Sequence, residues 1–202
     1  MMTIDSSQLK GRHVFLELLL PGHREMIRPL ARDELIWEFN KMLLIDDNFD
    51  KMFDDYFNAA LDKQLMGGQQ SFAIRRTKDQ AVIGMTRLYE INQKDKSATI
   101  GYTWYIPSAW GKVYNKECKL LLLQYIFDGL KFMRAELRVA HQNIRSQRAV
   151  EKIGGVKEGI LRKHGYRNDG SIKHTVVYSI IDDDWPGVKE KLLQLIAEGE
   201  NV

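Results

Sequence analysis

Two stretches of the chain combine residue types that could bind an anion and an amide-bearing ligand. The first, residues 104–117, reads WYIPSAWGKVYNKE. Its aromatic start looks like the end of a strand, because Pro107 cannot donate to a ladder. A leucine-rich helical sequence follows. Backbone N–H groups at a helix N-terminus lack partners and carry partial positive charge, so they favour phosphate or pyrophosphate. Gly111 lets backbone approach a ligand closely, and Lys112 adds a cation. An ordinary strand-to-helix turn would use the same residues. Neither the GxxxxGK[ST] phosphate loop nor the GxGxxG dinucleotide fingerprint occurs.

The second stretch, residues 143–159, reads NIRSQRAVEKIGGVKEG. Asn143 precedes a helix, and its plain role is an N-cap. As part of a site it would donate to and accept from a ligand amide. Ser146 would place a hydroxyl near a reacting sulfur. Arg145, Arg148 and Lys152 form a basic helix face that solvent or an anion could satisfy. The five histidines show no HxxxH or HExxH spacing, and Cys118 is the single cysteine. A transition-metal site therefore has no support, and an intrachain disulfide is impossible.

These stretches need elements to position them. Residues 13–20 (HVFLELLL) read as a strand ended by Pro21-Gly22, with helical segments over 23–32, broken at Pro29, and 33–39. Residues 47–66 repeat apolar side chains at three- and four-residue spacing and predict a helix, capped by Asp47 or Asn48 and stopped by Gly67-Gly68. Residues 71–76, 82–92 and 98–106 predict three antiparallel strands. In the third, Ile100, Tyr102, Trp104 and Ile106 should share one face, with Thr99, Gly101, Thr103 and Tyr105 on the other. Residues 111–131 predict an interior helix, 136–141 a strand and 143–153 a helix. Residues 156–166 and 172–181 flank Asn168-Asp169-Gly170-Ser171, a hairpin signal. Asp184-Trp185-Pro186 opens a last helix. The order β-α-α-β-β-β-α-β-α-β-β-α predicts an α/β (α+β) domain around one sheet, a single domain over 1–202.

Composition narrows the partners. A hydrophobic fraction of 44% suffices for a core, and a net charge of +3 by itself argues for neither DNA nor RNA as a partner. Residues 1–10 lack the apolar segment of a signal peptide, and no run reaches the ~18 apolar residues of a membrane span. The expected setting is the cytoplasm.

In order and spacing the motifs resemble the GNAT superfamily of acyl-CoA N-acyltransferases. More narrowly they resemble its RimJ/RimL-type branch, the ribosomal-protein N-terminal acetyltransferases. The resemblance covers residues 9 to about 192. It is carried by IGYTWYIPSAWGKVYNKECKLLL (100–122), HQNIRSQRAVEKIGGVKEGILR (141–162) and YSIIDDDWPGVK (178–189). It implies a mostly antiparallel central sheet flanked by helices, with two strands splayed to hold acetyl-CoA or another short acyl-CoA as cosubstrate. The pantetheine would pair with backbone at Trp104, Tyr105 and Ile106. The pyrophosphate would sit on Trp110, Gly111, Lys112, Val113, Tyr114 and Asn115. Asn143, Ser146 and Arg148 would complete the cofactor site, and Ser146 would serve the leaving thiolate.

The chain departs from the superfamily where Trp110, Val113 and Asn115 stand in the [QR]xxGx[GA] loop. It departs again where Val150 replaces a tyrosine acid and Thr99 a glutamate. The general base is open among Glu158, Glu90, His141 and His164. Glu158 and His164 lie on or near the hairpin that borders the acceptor side in the resembling fold. Tyr102 and Trp104 are candidate acceptor-pocket aromatics. The implied reaction moves an acyl group directly to a primary amine, either an amine-bearing small molecule or a protein N-terminus, and the family commonly forms homodimers. Two alternatives stay open. One is a non-catalytic acyl-CoA sensor. The other is an RNA-associated module built on Arg134, Arg138, Arg145, Arg148 and Lys152.

Overall fold

The computed structural model describes residues 9–200. Strand β1 (Val14–Leu18) leads into short helical turns, among them α1 (Arg24–Ile27) and the 3₁₀ turns Leu30–Arg32 and Glu34–Trp37. Pro29 sits at the break between α1 and the first of these 3₁₀ turns. Helix α2 (Phe49–Leu65) is followed by β2 (Gln69–Arg76), β3 (Val82–Asn92) and β4 (Ser97–Tyr105). Then come α3 (Tyr114–Gln124), β5 (Arg134–Ala140), α4 (Ile144–Lys152), β6 (Val156–Tyr166), β7 (Ile172–Ile181) and α5 (Trp185–Glu200).

The seven strands form one sheet in the order β1-β2-β3-β4-β5-β7-β6. Every neighbour pair is antiparallel except β4–β5. The sheet buries both faces. On β2, Phe72 and Ile74 enter one core with α3 and α5, while Ala73 enters the other with α2. The phenylalanines of α2 (Phe49, Phe53, Phe57) fill that second core at helical spacing. Arg32, Arg28 and Arg24 lie over their rings at 4.4–4.9 Å and pair with Asp50 and Asp54 of the same helix.

The predicted order of elements is observed, but two details differ. The interior helix begins at Tyr114 rather than at residue 111, because Gly111 adopts φ +73 and turns the chain. Its end is a π-helical turn, Tyr125–Gly129. The face assignment of β4 also changes. Met85 pairs with Trp104 and Arg87 with Gly101, so two steps on β3 oppose three on β4. The extra residue is marked by Tyr102, at φ +51. This bulge shifts the alternation. Ile100 and Tyr105 lie in the α3 core, whereas Trp104 lies in the α2 core with Tyr102 against it.

Candidate functional site

β4 and β5 pair only from Ser97↔Arg134 to Ile100↔Leu137. Beyond that point β5 continues beside β7 as far as Ala140↔Thr175, while the bulge at Tyr102 twists β4 away. The strands part and open a cleft of about 960 Å³. A second bulge, on β3, has Glu90 at φ +50. Glu90 and Tyr102 both line the cleft, so the two irregularities aim side chains at the same space.

The strand backbone available to a ligand narrows to one of the three residues expected. Ile106 N–H donates to Ile83 O at 2.9 Å, and its own carbonyl accepts from Ala109 N–H. Trp104 lies opposite Met85 and Tyr105 opposite Gly84. Antiparallel alternation then turns the polar groups of Trp104 toward β3 and those of Tyr105 toward the gap. The indole N–H of Trp110 donates to Tyr105 O at 2.9 Å. The N–H of Tyr105 is left aimed at the cleft. Trp104 still lines the cleft through other atoms, whereas Ile106 does not.

The start of α3 leaves backbone donors without helical partners. Val113 occupies the N-cap without a side-chain capping bond, and Glu117 N–H is the donor that reaches Val113 O. The amides of Tyr114, Asn115 and Lys116 have no helical acceptor. Trp110, Gly111, Lys112, Asn115 and Lys116 line the cleft, so two lysines flank those amides. Val113 and Tyr114, expected beside the cofactor, are outside the lining. The Val113 side chain is buried in the core and that of Tyr114 packs against it.

α4 forms the opposite wall. Asn143 caps it, accepting Ser146 N–H on Oδ1 at 2.9 Å. Gln147, buried, donates to His141 O at 2.6 Å and ties the helix to the end of β5. Asn143 and Ser146 line the cleft, and Arg145 lies over the Trp110 ring at 4.1 Å, bridging the two walls. Arg148 does not fill the cofactor position expected of it. It is exposed and outside the lining, and Arg145, one turn nearer the start of α4, is the arginine that reaches Trp110.

Glu158 is likewise displaced from the site. It is absent from the lining, and Arg134 and Ser179 hold its carboxylate at 2.6 and 2.5 Å. The Arg134 guanidinium lowers its pKa, which makes it a weaker base. His141 also lies outside the lining, whereas Glu90 and His164 are within it. Glu90 forms a bidentate pair with Arg138 at 2.9 and 2.7 Å. His164 Nδ1 lies 3.0 Å from Thr175 Oγ1. Val150, at the place of the family tyrosine, is buried against the cleft wall. The basic cluster read from the sequence is dispersed. Arg134 and Arg138 are taken by Glu158, Glu136 and Glu90, and Arg145 by Trp110.

Sequence reasoning passed over Lys119. It is 7% exposed, lines the cleft, and donates to Thr103 Oγ1 at 3.3 Å. Burial pushes its pKa down. The signal was a cation inside the apolar run Cys118-Lys119-Leu120. Cys118 is fully buried and burial pushes its thiol up, so it is no nucleophile. Among the described residues no helix is long and apolar enough to cross a membrane.

A family model described as an acetyltransferase (GNAT) domain matches residues 13–156. YoaA of Bacillus subtilis, an uncharacterized N-acetyltransferase, is 34% identical over 123 residues, 61% of this chain and 67% of that one. YdaF of the same organism is 32% identical over 112 residues, 55% of this chain and 60% of its own length. The spermidine N-acetyltransferase of Vibrio cholerae, solved with CoA and spermine, shares the fold with a TM-score of 0.70 at 21% identity. That match covers 86% of this chain and 98% of that one. The matched segment contains the bulged β4, the splay, the uncapped α3 and the capped α4 described above. The chain belongs to the GNAT family of acetyltransferases and is an acyl-CoA-dependent N-acetyltransferase.

Proposed function

We propose that this single domain moves an acetyl group from acetyl-CoA directly to a primary amine, with a protein N-terminus or a small amine as acceptor. We place it in the RimJ/RimL-type branch and in the cytoplasm. The branch is supported by the three motifs of the sequence and by similarity to YdaF, which is named, provisionally, a ribosomal N-acetyltransferase. The observation that carries the reading is the parting of β4 from β5 directly beside the uncapped N-terminus of α3.

In this reading the pyrophosphate rests on the free amides of α3 between Lys112 and Lys116, and the pantetheine takes Tyr105 N–H. The thioester then lies along the bulged part of β4. Holding amine and thioester together supplies most of the acceleration, since effective molarities reach about 10⁵ M or more. Attack needs a neutral amine, and Glu90 and His164 are the lining groups able to take its proton, directly or through water. Ser146 donates to the departing thiolate.

Calorimetry tests the cofactor assignment. Lys112→Glu is expected to weaken acetyl-CoA and CoA binding about tenfold, the scale of a reversed charge at a helix N-terminus, ~1–2 kcal/mol. Asn143→Ala is expected to weaken it by a smaller factor, through the lost cap of α4. Unchanged affinity in both would place the cofactor elsewhere. Ser146→Ala is expected to lower kcat roughly tenfold. That is below the usual range for acid catalysis because a thiolate leaves without much help. Rapid-mix measurement of acyl transfer, with acetyl-CoA affinity unchanged, checks it; a kcat equal to wild type would remove Ser146 from the mechanism. Turnover with any amine excludes a purely sensory role.

A further inference from the structure

The cleft wall away from α3 and α4 is formed by the β6–β7 hairpin and the segment after the Glu34–Trp37 turn. The two are joined. Arg167 Nε donates to Phe39 O at 3.2 Å, Asn168 N–H reaches Lys41 O at 3.4 Å, and Asn168 Nδ2 reaches Met42 O at 2.5 Å. Arg167 is 8% exposed, and its guanidinium is locked on neutral oxygens: Phe39 O, Gln142 Oε1, Ser171 Oγ and Ile172 O. None is a carboxylate, so most of its positive charge stays in the wall. Lys173, two residues past the turn, is half-buried and lines the same cleft, and its side chain has no hydrogen bond or ion pair among the described residues. Its pKa is pushed down by burial, then by the charges of Arg167 and Arg138. An anion placed beside this lysine would favour its charged form and offset the burial and the neighbouring cations.

The neighbouring acids do not neutralise it. Among the described residues lining the cleft, Glu90 is the one carboxylate, and both its oxygens are on Arg138. Asp169, in the hairpin turn, is exposed and bonded to Ser171; it offsets Arg167 only in part. Lys63, from the end of α2, adds a further cation to this wall. In the acetyl-transfer reading the phosphates of the cofactor lie across the cleft on the α3 amides, which leaves this wall to the acceptor.

We propose that the acceptor is a primary amine carrying a carboxylate a few bonds from its nitrogen, and that Lys173 receives this carboxylate in the field of Arg167. The inference rests on the acetyl-transfer reading above and names its substrate class. A free amino acid and a peptide with an acidic residue near its N-terminus share this chemistry. A polycation such as spermine is repelled by the same wall.

The test uses the full chain with saturating acetyl-CoA and follows release of the CoA thiol. The acceptors are serine, serine amide, the peptide amides Ser-Asp-Ala and Ser-Lys-Ala, and spermine. At least one carboxylate-bearing acceptor is expected to exceed its partner without one by tenfold or more in kcat/KM, chiefly through KM. Preference for serine over serine amide identifies free amino acids, and preference for Ser-Asp-Ala over Ser-Lys-Ala identifies peptides. Lys173→Glu is expected to abolish or invert the preference while acetyl-CoA affinity, read by calorimetry on the same sample, stays at the wild-type value. Spermine or Ser-Lys-Ala as the better acceptor, or a preference that survives Lys173→Glu, overturns the inference and leaves acetyl transfer standing. Binding of acetyl-CoA without turnover of any acceptor overturns the transfer reading, and this inference with it.

Discussion

Gly84→Ala is expected to cost the protein more than about 3 kcal/mol of stability and to remove acetyl-CoA binding from whatever folded fraction remains. A Cβ at position 84 would lie 2.1 Å from the Trp104 carbonyl oxygen and 3.1 Å from both Trp104 C and Tyr105 Cα. These are backbone atoms of the facing strand, so no side-chain rotation relieves the clash. Either β3 or β4 must move at the pair Gly84↔Tyr105. That pair fixes the direction of Tyr105 N–H, the strand donor that faces the cleft. The change therefore acts on fold and site together. Urea unfolding measures the first and calorimetry with acetyl-CoA the second. Gly22→Ala, where a Cβ meets nothing within 4 Å, is the control and should stay within about 0.5 kcal/mol of wild type. A Gly84→Ala protein with the wild-type urea midpoint would mean that the two strands are not in register as described.

The sequence made the elements legible because each carries its own periodicity. The aromatic stripe of α2 and the Asn168-Asp169-Gly170 turn of the hairpin are local signals, and both are found where local physics puts them. Bulges are different. Whether Tyr102 continues the alternation or steps out of it depends on how β3 and β4 pair, and no property of residue 102 alone reveals that. An expectation of strict alternation put Ile100 and Trp104 on one face, and the extra residue separated them. The same cause hid the shared aim of Glu90 and Tyr102.

At the site, the motif residues Trp110, Gly111, Lys112, Asn115, Asn143 and Ser146 are brought together around the cleft. Residues that depend on long-range partners were not legible. Glu158 has the composition of a base, yet Arg134, 24 positions earlier, occupies it. Arg145 and Arg148 look alike in the sequence. Only the ring of Trp110 distinguishes them. Arg167 and Lys173 sit among ordinary hairpin charges, and nothing local marks one as buried and the other as unpartnered.

Glu117 explains how the start of α3 is held in place, and its removal gives the second large effect. Its buried carboxylate accepts Arg12 N–H at 2.9 Å, His13 N–H at 2.7 Å and Val14 N–H at 2.6 Å. These are the residues that lead into β1, more than a hundred positions away. A Cβ on Gly11 would sit 2.5 Å from the same carboxyl carbon, so any larger residue there would push the carboxylate off the amides it holds. A carboxylate in the first turn of a helix is also favoured by the helix dipole. Glu117→Ala leaves three amides without an acceptor. At roughly 1–3 kcal/mol for each donor that water does not reach, the expected loss is about 3–5 kcal/mol. Glu117→Gln keeps one oxygen and should lose about half as much. Both should lower the urea midpoint with little change in slope, because the surface exposed on unfolding is the same. Acetyl-CoA affinity should fall in the same order, Ala more than Gln, since α3 then loses its tie to the sheet edge. Equal midpoints for wild type, Gln and Ala would mean that water already replaces these bonds, and the orientation of the α3 amides would have to come from the leucine packing of that helix alone.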